Sequence, residues 1–173
     1  MKKIAIVVQR CHKSVVGGSE SLAWQYAMLL TDSYEVDLLT TTATDIAEWA
    51  NVLPKGTERL DGINIQRFHV DIGRTPSWGQ LYTSLKEEYE IQRERRNRVQ
   101  YSWRIPLQED FIRRQGPHSK GLLQFLRRTW TKYQTIIFVT YLYPTTYFGI
   151  MEVPKNQCLL VPTLHDEPLA YLS

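Results

Sequence analysis

The segment from Lys2 to Thr40 restricts the fold more than any other part of the chain. Lys2-Lys3-Ile4-Ala5-Ile6-Val7-Val8 is a short, continuous apolar run bounded by charge, the signature of a parallel strand buried on both faces. A polar stretch then leads to Gly17-Gly18-Ser19-Glu20, after which Leu22, Ala23, Tyr26, Ala27 and Leu30 recur at spacings of three and four, predicting an amphipathic helix that starts at the glycines. Asp32-Ser33 breaks that pattern, and Tyr34-Glu35-Val36-Asp37-Leu38-Leu39-Thr40 supplies the next β-type run. Strand, loop, helix and strand within roughly forty residues make a βαβ unit, which requires a parallel crossover.

The rest of the chain extends this grammar with one departure. Residues 43–62 mix short helical and turn signals, including Leu53-Pro54-Lys55-Gly56 and Asp61-Gly62, and Ile63-Asn64-Ile65-Gln66-Arg67-Phe68 alternates as a third strand. From Pro76 the pattern turns helical: Leu81, Leu85 and Tyr89 fall four apart, while Glu90, Arg93, Glu94 and Arg98 offer charge pairs along one face. A long helix from near Ser77 to about Trp103 is predicted. Two further helices follow, punctuated by Pro106 and Gly116-Pro117, the second capped by Ser119 and carrying Leu122, Leu123, Phe125, Leu126 and Trp130. Two more β-rich runs, 133–140 and 157–164, close the chain. The expected fold is therefore α/β, a Rossmann-like, mostly parallel sheet flanked by helices, with an extended helical region at about 76–132. At 173 residues, one domain spanning 1–173 is the expected count.

Composition excludes several classes. With 43% hydrophobic and 23% charged residues and no apolar run near the ~20 needed to cross a bilayer, the chain reads as soluble and globular. Met1-Lys2-Lys3 precedes too short an apolar run for a signal peptide. Cys11 and Cys158 are the only cysteines, without a CxxC or Cys/His cluster, so neither a metal site nor a disulfide framework is expected and the setting is a reducing cytoplasm. The net charge of +3 conceals a division: residues 74–132 hold thirteen Lys/Arg against six Asp/Glu, and the remainder eight against twelve. Such a basic stretch either forms a solvated helical face or attracts anionic lipid, phosphorylated ligands or nucleic acid. Arg93, Arg95, Arg96, Arg98, Arg113 and Arg114 lie near Tyr101 and Trp103, but no nucleic-acid-binding module is recognisable, and no nucleic-acid partner is expected.

Candidate chemistry gathers where strands end. Ligands of open parallel sheets bind outside the carboxyl ends of the strands, so the Gly17-Gly18 loop, the loop from Tyr141 to Thr146 and the loop from His165 to Pro168 are expected to line one crevice. The glycine pair either lets a phosphate or sugar hydroxyl approach the helix N-terminus or merely permits a turn. It is not the dinucleotide fingerprint: about eight residues intervene after the strand, and strand two ends in Thr40-Thr41-Thr42 rather than an acid. His165, between an apolar strand and two carboxylates, either hydrogen-bonds substrate or shuttles a proton, or caps local backbone. Asp166 and Glu167 are adjacent on an extended segment and point to opposite faces, so at most one faces the crevice. His12, His69 and His118 read as ordinary loop or surface residues. No GxSxG elbow, GxxxxGK[ST] phosphate loop or HExxH metal helix occurs.

In their order and spacing, the opening strand, Gly-Gly-Ser-Glu at a helix start and Tyr34–Thr40 resemble the N-terminal domain of family 4 glycosyltransferases. Gly62–Phe68 followed by Asp71 and Arg74 is similar to a segment of a bacterial subset of that family, and Leu160–Leu164 leading to His165 resembles its histidine-bearing strand. The resemblance spans nearly the whole chain and is diffuse over 75–132. It implies a GT-B enzyme with two Rossmann-like domains facing across a cleft, a nucleotide-sugar donor, a carbohydrate or lipid-linked acceptor, retention of configuration, no cofactor and no metal. On that pattern the chain is the acceptor-side half, ending before the donor-binding half begins, and inactive by itself. Gly17 and Gly18 would lie near the donor phosphates and transferred sugar, and His165 near the reacting centre. Ser19, Glu20, Tyr141, Tyr143 and Asp166 are the acceptor-side candidates. The basic region 93–132 is an expected surface for peripheral contact with the inner face of the membrane. The competing expectation is a non-catalytic α/β binding or scaffold domain.

Overall fold

A computed structural model describes residues 1–12, 17–95, 98–141 and 143–172. Residues 13–16 of the first loop, Arg96 of the basic stretch and Leu142 of the 141–146 loop lie outside it. Six strands, β1 (Lys2–Val7), β2 (Tyr34–Thr41), β3 (Gly56–Leu60), β4 (Ile63–Phe68), β5 (Thr135–Val139) and β6 (Cys158–Val161), form one sheet in the order β3-β4-β2-β1-β5-β6. Every pairing is parallel except β3 with β4. The helices are α1 (Gly18–Leu30), α2 (Pro76–Glu94), α3 (Ile105–Gln115), α4 (Lys120–Thr129) and α5 (Pro144–Met151). The architecture is the expected Rossmann-like α/β fold.

The alternation of side chains along a strand divides the core between the two faces of the sheet. Ile6, Val8, Val36, Leu38 and Val139 point toward α1, where Ala23 and Ala27 let the helix approach closely. Ala5, Val7, Leu39, Ile136 and Phe138 point the other way, onto Leu122 and Leu126 of α4. Ser119 caps α4 as its sequence predicts, its hydroxyl accepting from the Leu122 N–H at 3.3 Å. A third cluster joins α2, α3 and the turn Pro168–Tyr171 through Leu85, Phe111, Ile112 and Leu169.

The structure departs from the expected elements in three places. The helix expected from Ser77 to about Trp103 ends at Glu94. Residues 98–102 instead run back along it with alternating burial: Val99 and Tyr101 turn inward onto Leu85 and Leu169, the Tyr101 hydroxyl donates to the Pro168 carbonyl at 2.6 Å, and the Gln92 amide bonds both the N–H and the carbonyl of Gln100. Burying two large side chains outweighs the weak charge pairs that favoured a longer helix, and Arg93 pairs with Asp166 rather than along its own helix. The strand β3 has an almost wholly exposed, polar face and gave no apolar period to read. It is an edge strand joined to β4 by the Asp61-Gly62 turn, both of whose residues have positive φ, 50° and 82°, as a two-residue hairpin requires. Finally β6 stops at Val161, before Pro162, which has no N–H to donate, and Thr163 at φ 50°.

Candidate functional site

Strand order creates the site. From β1 the chain fills the sheet outward through β2 and β4 on one side, then returns to place β5 and β6 on the other, so the order reverses between β1 and β5. At such a switch point the loops leaving the two strands diverge to opposite faces and open a crevice at their carboxyl ends. The loop after Val7 and the loop after Val139 are the two walls.

The first wall is built from a buried polar network. Glu20, in the first turn of α1, is only 4% exposed. Its Oε1 accepts from Arg10 Nε at 2.7 Å and Gln9 Nε2 at 3.1 Å, and its Oε2 accepts from the Ser19 hydroxyl at 3.0 Å. Arg10 also donates to the Thr44 carbonyl at 2.7 Å, and the Thr41 hydroxyl donates to the Gln9 carbonyl at 2.6 Å. These bonds tie the loop after β1 to α1 and to the end of β2. Gly17 is the N-cap of α1 in an extended conformation, with no side-chain cap on the helix. A β-carbon at Gly17 would overlap the Glu20 carboxylate, whereas Gly18 is exposed and has open space around it.

The second wall follows β5. Thr140 is 3% exposed at φ 65°, a conformation a β-branched residue rarely adopts, and Thr163 repeats it beyond β6. Tyr143 is the N-cap of α5 and sets its ring edge-on to Trp49, centroids 5.3 Å apart. Burial, with the nearby Glu20 carboxylate, holds the Tyr143 phenol above its ordinary range, against the opposing charges of Arg74 and Arg10. Tyr141 donates to Glu167 Oε1 at 3.0 Å and lines a mainly apolar cavity of about 280 Å³ with Ile112, Thr146, Ile150 and Leu160. Burial, then the bond to Glu167, pushes the Tyr141 phenol up as well.

The sequence candidates thus separate. Gly17, Ser19, Glu20 and Tyr143 come together at the switch point, linked electrostatically through Arg10. Glu20 and Ser19 are spent on each other, Arg10 and Gln9. Glu167 faces Tyr141, while Asp166 faces away onto α2, accepting from the Tyr89 and Tyr171 hydroxyls at 2.9 and 2.8 Å and pairing with Arg93 at 2.9 Å. Hydrogen bonds from Tyr171 and Tyr89 hold the Asp166 carboxyl below its usual range. His165 is exposed, and its ring makes no hydrogen bond or aromatic contact among the described residues. His118, expected at a surface, is buried: the backbone of its residue pairs with Ile72, and burial, then the charge of Arg113, lowers its pKa.

Residues to which sequence reasoning gave no site role complete the rim. Trp49, at φ 62° and 1% exposed, donates its indole N–H to the Gln115 carbonyl at 2.9 Å. Arg74 lies over the Trp78 ring, its guanidinium carbon 4.3 Å from the centroid. Several arginines of the basic stretch are engaged internally: Arg127 forks onto Glu152, Arg114 pairs with Asp110, and Arg113 stacks over Phe148, whereas Arg95, Arg98, Arg104 and Arg128 are exposed. No helix among the described residues is long and apolar enough to cross a membrane, and no group of three or more His, Cys, Asp or Glu is placed to hold a metal.

Fold and site together define a Rossmann-like α/β domain with a polar switch-point crevice. Comparison with known proteins finds no match for this chain among family models, curated proteins or solved structures.

Proposed function

We propose that this chain is the N-terminal, acceptor-side half of a retaining GT-B glycosyltransferase that moves a sugar from a nucleotide-sugar donor to a carbohydrate or lipid-linked acceptor. The observation that carries the reading is the switch-point crevice with Gly17 at the N-terminus of α1 on one wall and Tyr143 on the other. The end of β2 weighs against a dinucleotide enzyme. Thr41 and Thr42 turn their hydroxyls onto Gln9 and Asn51, and the next acid, Asp45, accepts from the backbone N–H groups of Ala47, Glu48, Trp49 and Ala50. The first carboxylate after the strand is thus held in a turn by backbone N–H groups rather than presented to a ribose.

In this reading α1, with no side-chain cap among the described residues, presents its first-turn N–H groups and its positive dipole end to the donor's phosphates or transferred sugar, and Glu20 holds that loop in shape without touching substrate. His165, exposed beyond β6, is the residue available to contact the transferred sugar. The acceptor lies against Tyr143 and the rim beyond it. Stabilisation of the departing nucleotide is assigned to basic residues of the donor-binding half.

The test uses the complete reading frame that contains these residues, incubated with UDP-, GDP- and ADP-sugars and a panel of saccharide acceptors. Acceptor-dependent nucleotide release with retained configuration is expected. Failure to release nucleotide from any of the donors would overturn the reading in favour of a non-catalytic binding or scaffold domain. The 173-residue polypeptide is expected to bind sugar nucleotides weakly, and tight binding by calorimetry would remove its assignment to the acceptor side.

A further inference from the structure

The rim of the crevice carries an arginine that close backbone packing positions and that has no carboxylate partner among the described residues. Around Trp49 three stretches of backbone meet. A β-carbon at Gly73 would lie 2.1 Å from the Glu48 carbonyl, and one at Gly116, whose φ is 67°, would lie 2.7 Å from Trp49 Cδ1 and 2.8 Å from the Gly73 carbonyl carbon. Only glycine allows this junction, and the next residue after Gly73 is Arg74. The Thr75 N–H donates to the Arg114 carbonyl at 3.0 Å, fixing the far side. The Cα of Arg74 is therefore held by close packing on both sides.

Its side chain is laid on an aromatic floor. Trp78, under the guanidinium, is itself stacked on Tyr82 at 5.0 Å and on Phe111 at 5.8 Å. Among the described residues, the buried Nε of Arg74 has no hydrogen-bond partner and no carboxylate pairs with the guanidinium. Asp45 is near enough to be felt, but its oxygens are taken by four backbone N–H groups. Tyr143, edge-on to the same Trp49 that the Gly73 and Gly116 backbones pack around, is within electrostatic reach of both Arg74 and Arg10, and its hydroxyl makes no hydrogen bond among the described residues. A partly buried cation that loses water and gains no anion is unfavourable by itself, and such arrangements mark places where a ligand supplies the missing charge. A guanidinium fork within electrostatic reach of a phenol matches a group offering several oxygen acceptors on one centre.

We propose that Arg74 and Tyr143 bind a phosphate group carried by the acceptor, so that the substrate is a phosphorylated saccharide. This rests on the glycosyltransferase reading above for the word acceptor. The donor's diphosphate is the other source of the same chemistry, but the N-terminus of α1 at Gly17 already supplies donors for it, and Arg74 belongs to the separate junction that precedes α2. Arg10, whose Nε is committed to Glu20, adds positive potential without being a ligand.

The test is carried out on the 173-residue chain labelled with ¹⁵N-arginine, with glucose 6-phosphate, glucose and UDP as probes. The Arg74 Nε–Hε resonance is assigned by its loss in Arg74→Lys. Glucose 6-phosphate is expected to shift it saturably, glucose to leave it in place, and Arg74→Gln to weaken glucose 6-phosphate binding about tenfold or more, the loss of a charge-assisted bidentate contact. Arg74→Lys keeps the charge but not the fork, and is expected to bind more weakly than the wild type. Should Arg74→Gln fail to fold, equal affinity in Arg74→Lys and wild type overturns the proposal. It is also overturned if glucose 6-phosphate produces no shift, or if UDP alone shifts the resonance, which moves Arg74 to the donor side. Glucose 6-phosphate binding through Arg74 with no transfer by the complete reading frame keeps this phosphate site and removes the glycosyltransferase reading. Demonstrated transfer with an unresponsive Arg74 does the reverse.

Discussion

A β-carbon on Gly17 would lie 2.1 Å from Oε2 of Glu20. The first glycine of the pair therefore has a steric reason that the second lacks. The Glu20 carboxylate cannot swing aside cheaply, because Arg10, Gln9 and Ser19 all donate to it in a buried site. Gly17→Ala is expected to destabilise the fold by about 1–3 kcal/mol, and Gly18→Ala to change it by no more than about 0.5 kcal/mol, both measured by urea denaturation. Equal effects would show that the pair is not differentiated by Glu20.

The Arg10–Glu20 pair is nearly buried, with side chains 12% and 5% exposed. Removing one partner strands the other charge away from water. Glu20→Ala is expected to cost about 3–5 kcal/mol, and the double variant Arg10→Ala/Glu20→Ala less than the sum of the singles. A double-mutant cycle on unfolding free energies measures the coupling, and strict additivity would separate the two residues energetically.

His118 gives the fold a pH dependence. Its folded pKa is lowered by burial and by Arg113, so the unfolded state binds the proton more readily. The sign follows: stability is complete above the unfolded value near ~6.5 and declines as pH falls from there toward the lower folded value. Unfolding free energies from pH 8 to pH 5, in wild type and His118→Gln, are expected to diverge with the wild type losing more; parallel curves would contradict this.

Asp166 fastens the C-terminal segment to α2 through Tyr89, Tyr171 and Arg93. The contacts are exposed, so their loss is expected to be local. Asp166→Ala should raise amide hydrogen exchange over residues 166–172 while leaving the exchange of β1 and β5 unchanged. If the mutation also left exchange at 166–172 unaltered, Tyr101 and Leu169 would suffice to hold the segment.

The chain's elements were legible wherever burial imposes a local period. Ile4–Val8, the 3–4 spacing from Leu22 to Leu30, Tyr34–Thr40, and Ser119 three residues before Leu122 each encode their structure within a few residues. The polar edge strand Gly56–Leu60 left no such period, because a strand buried on neither face needs none. The end of α2 at Glu94 was hidden because Val99 and Tyr101 gain their burial from Leu85 and Leu169, one of them about seventy residues away along the chain.

For the site, the sequence alone placed Gly17 at a helix start and Tyr141, Tyr143 and His165 beyond strand ends, since element boundaries are local. Tertiary structure decided the rest. The reversal between β1 and β5, the enclosure of Glu20 by Arg10 and Gln9, and the seat of the Arg74 guanidinium over Trp78 all depend on which distant segments become neighbours. Periodicity fixes which way a residue faces, but strand order and charge pairing are set only when the whole sheet closes its core.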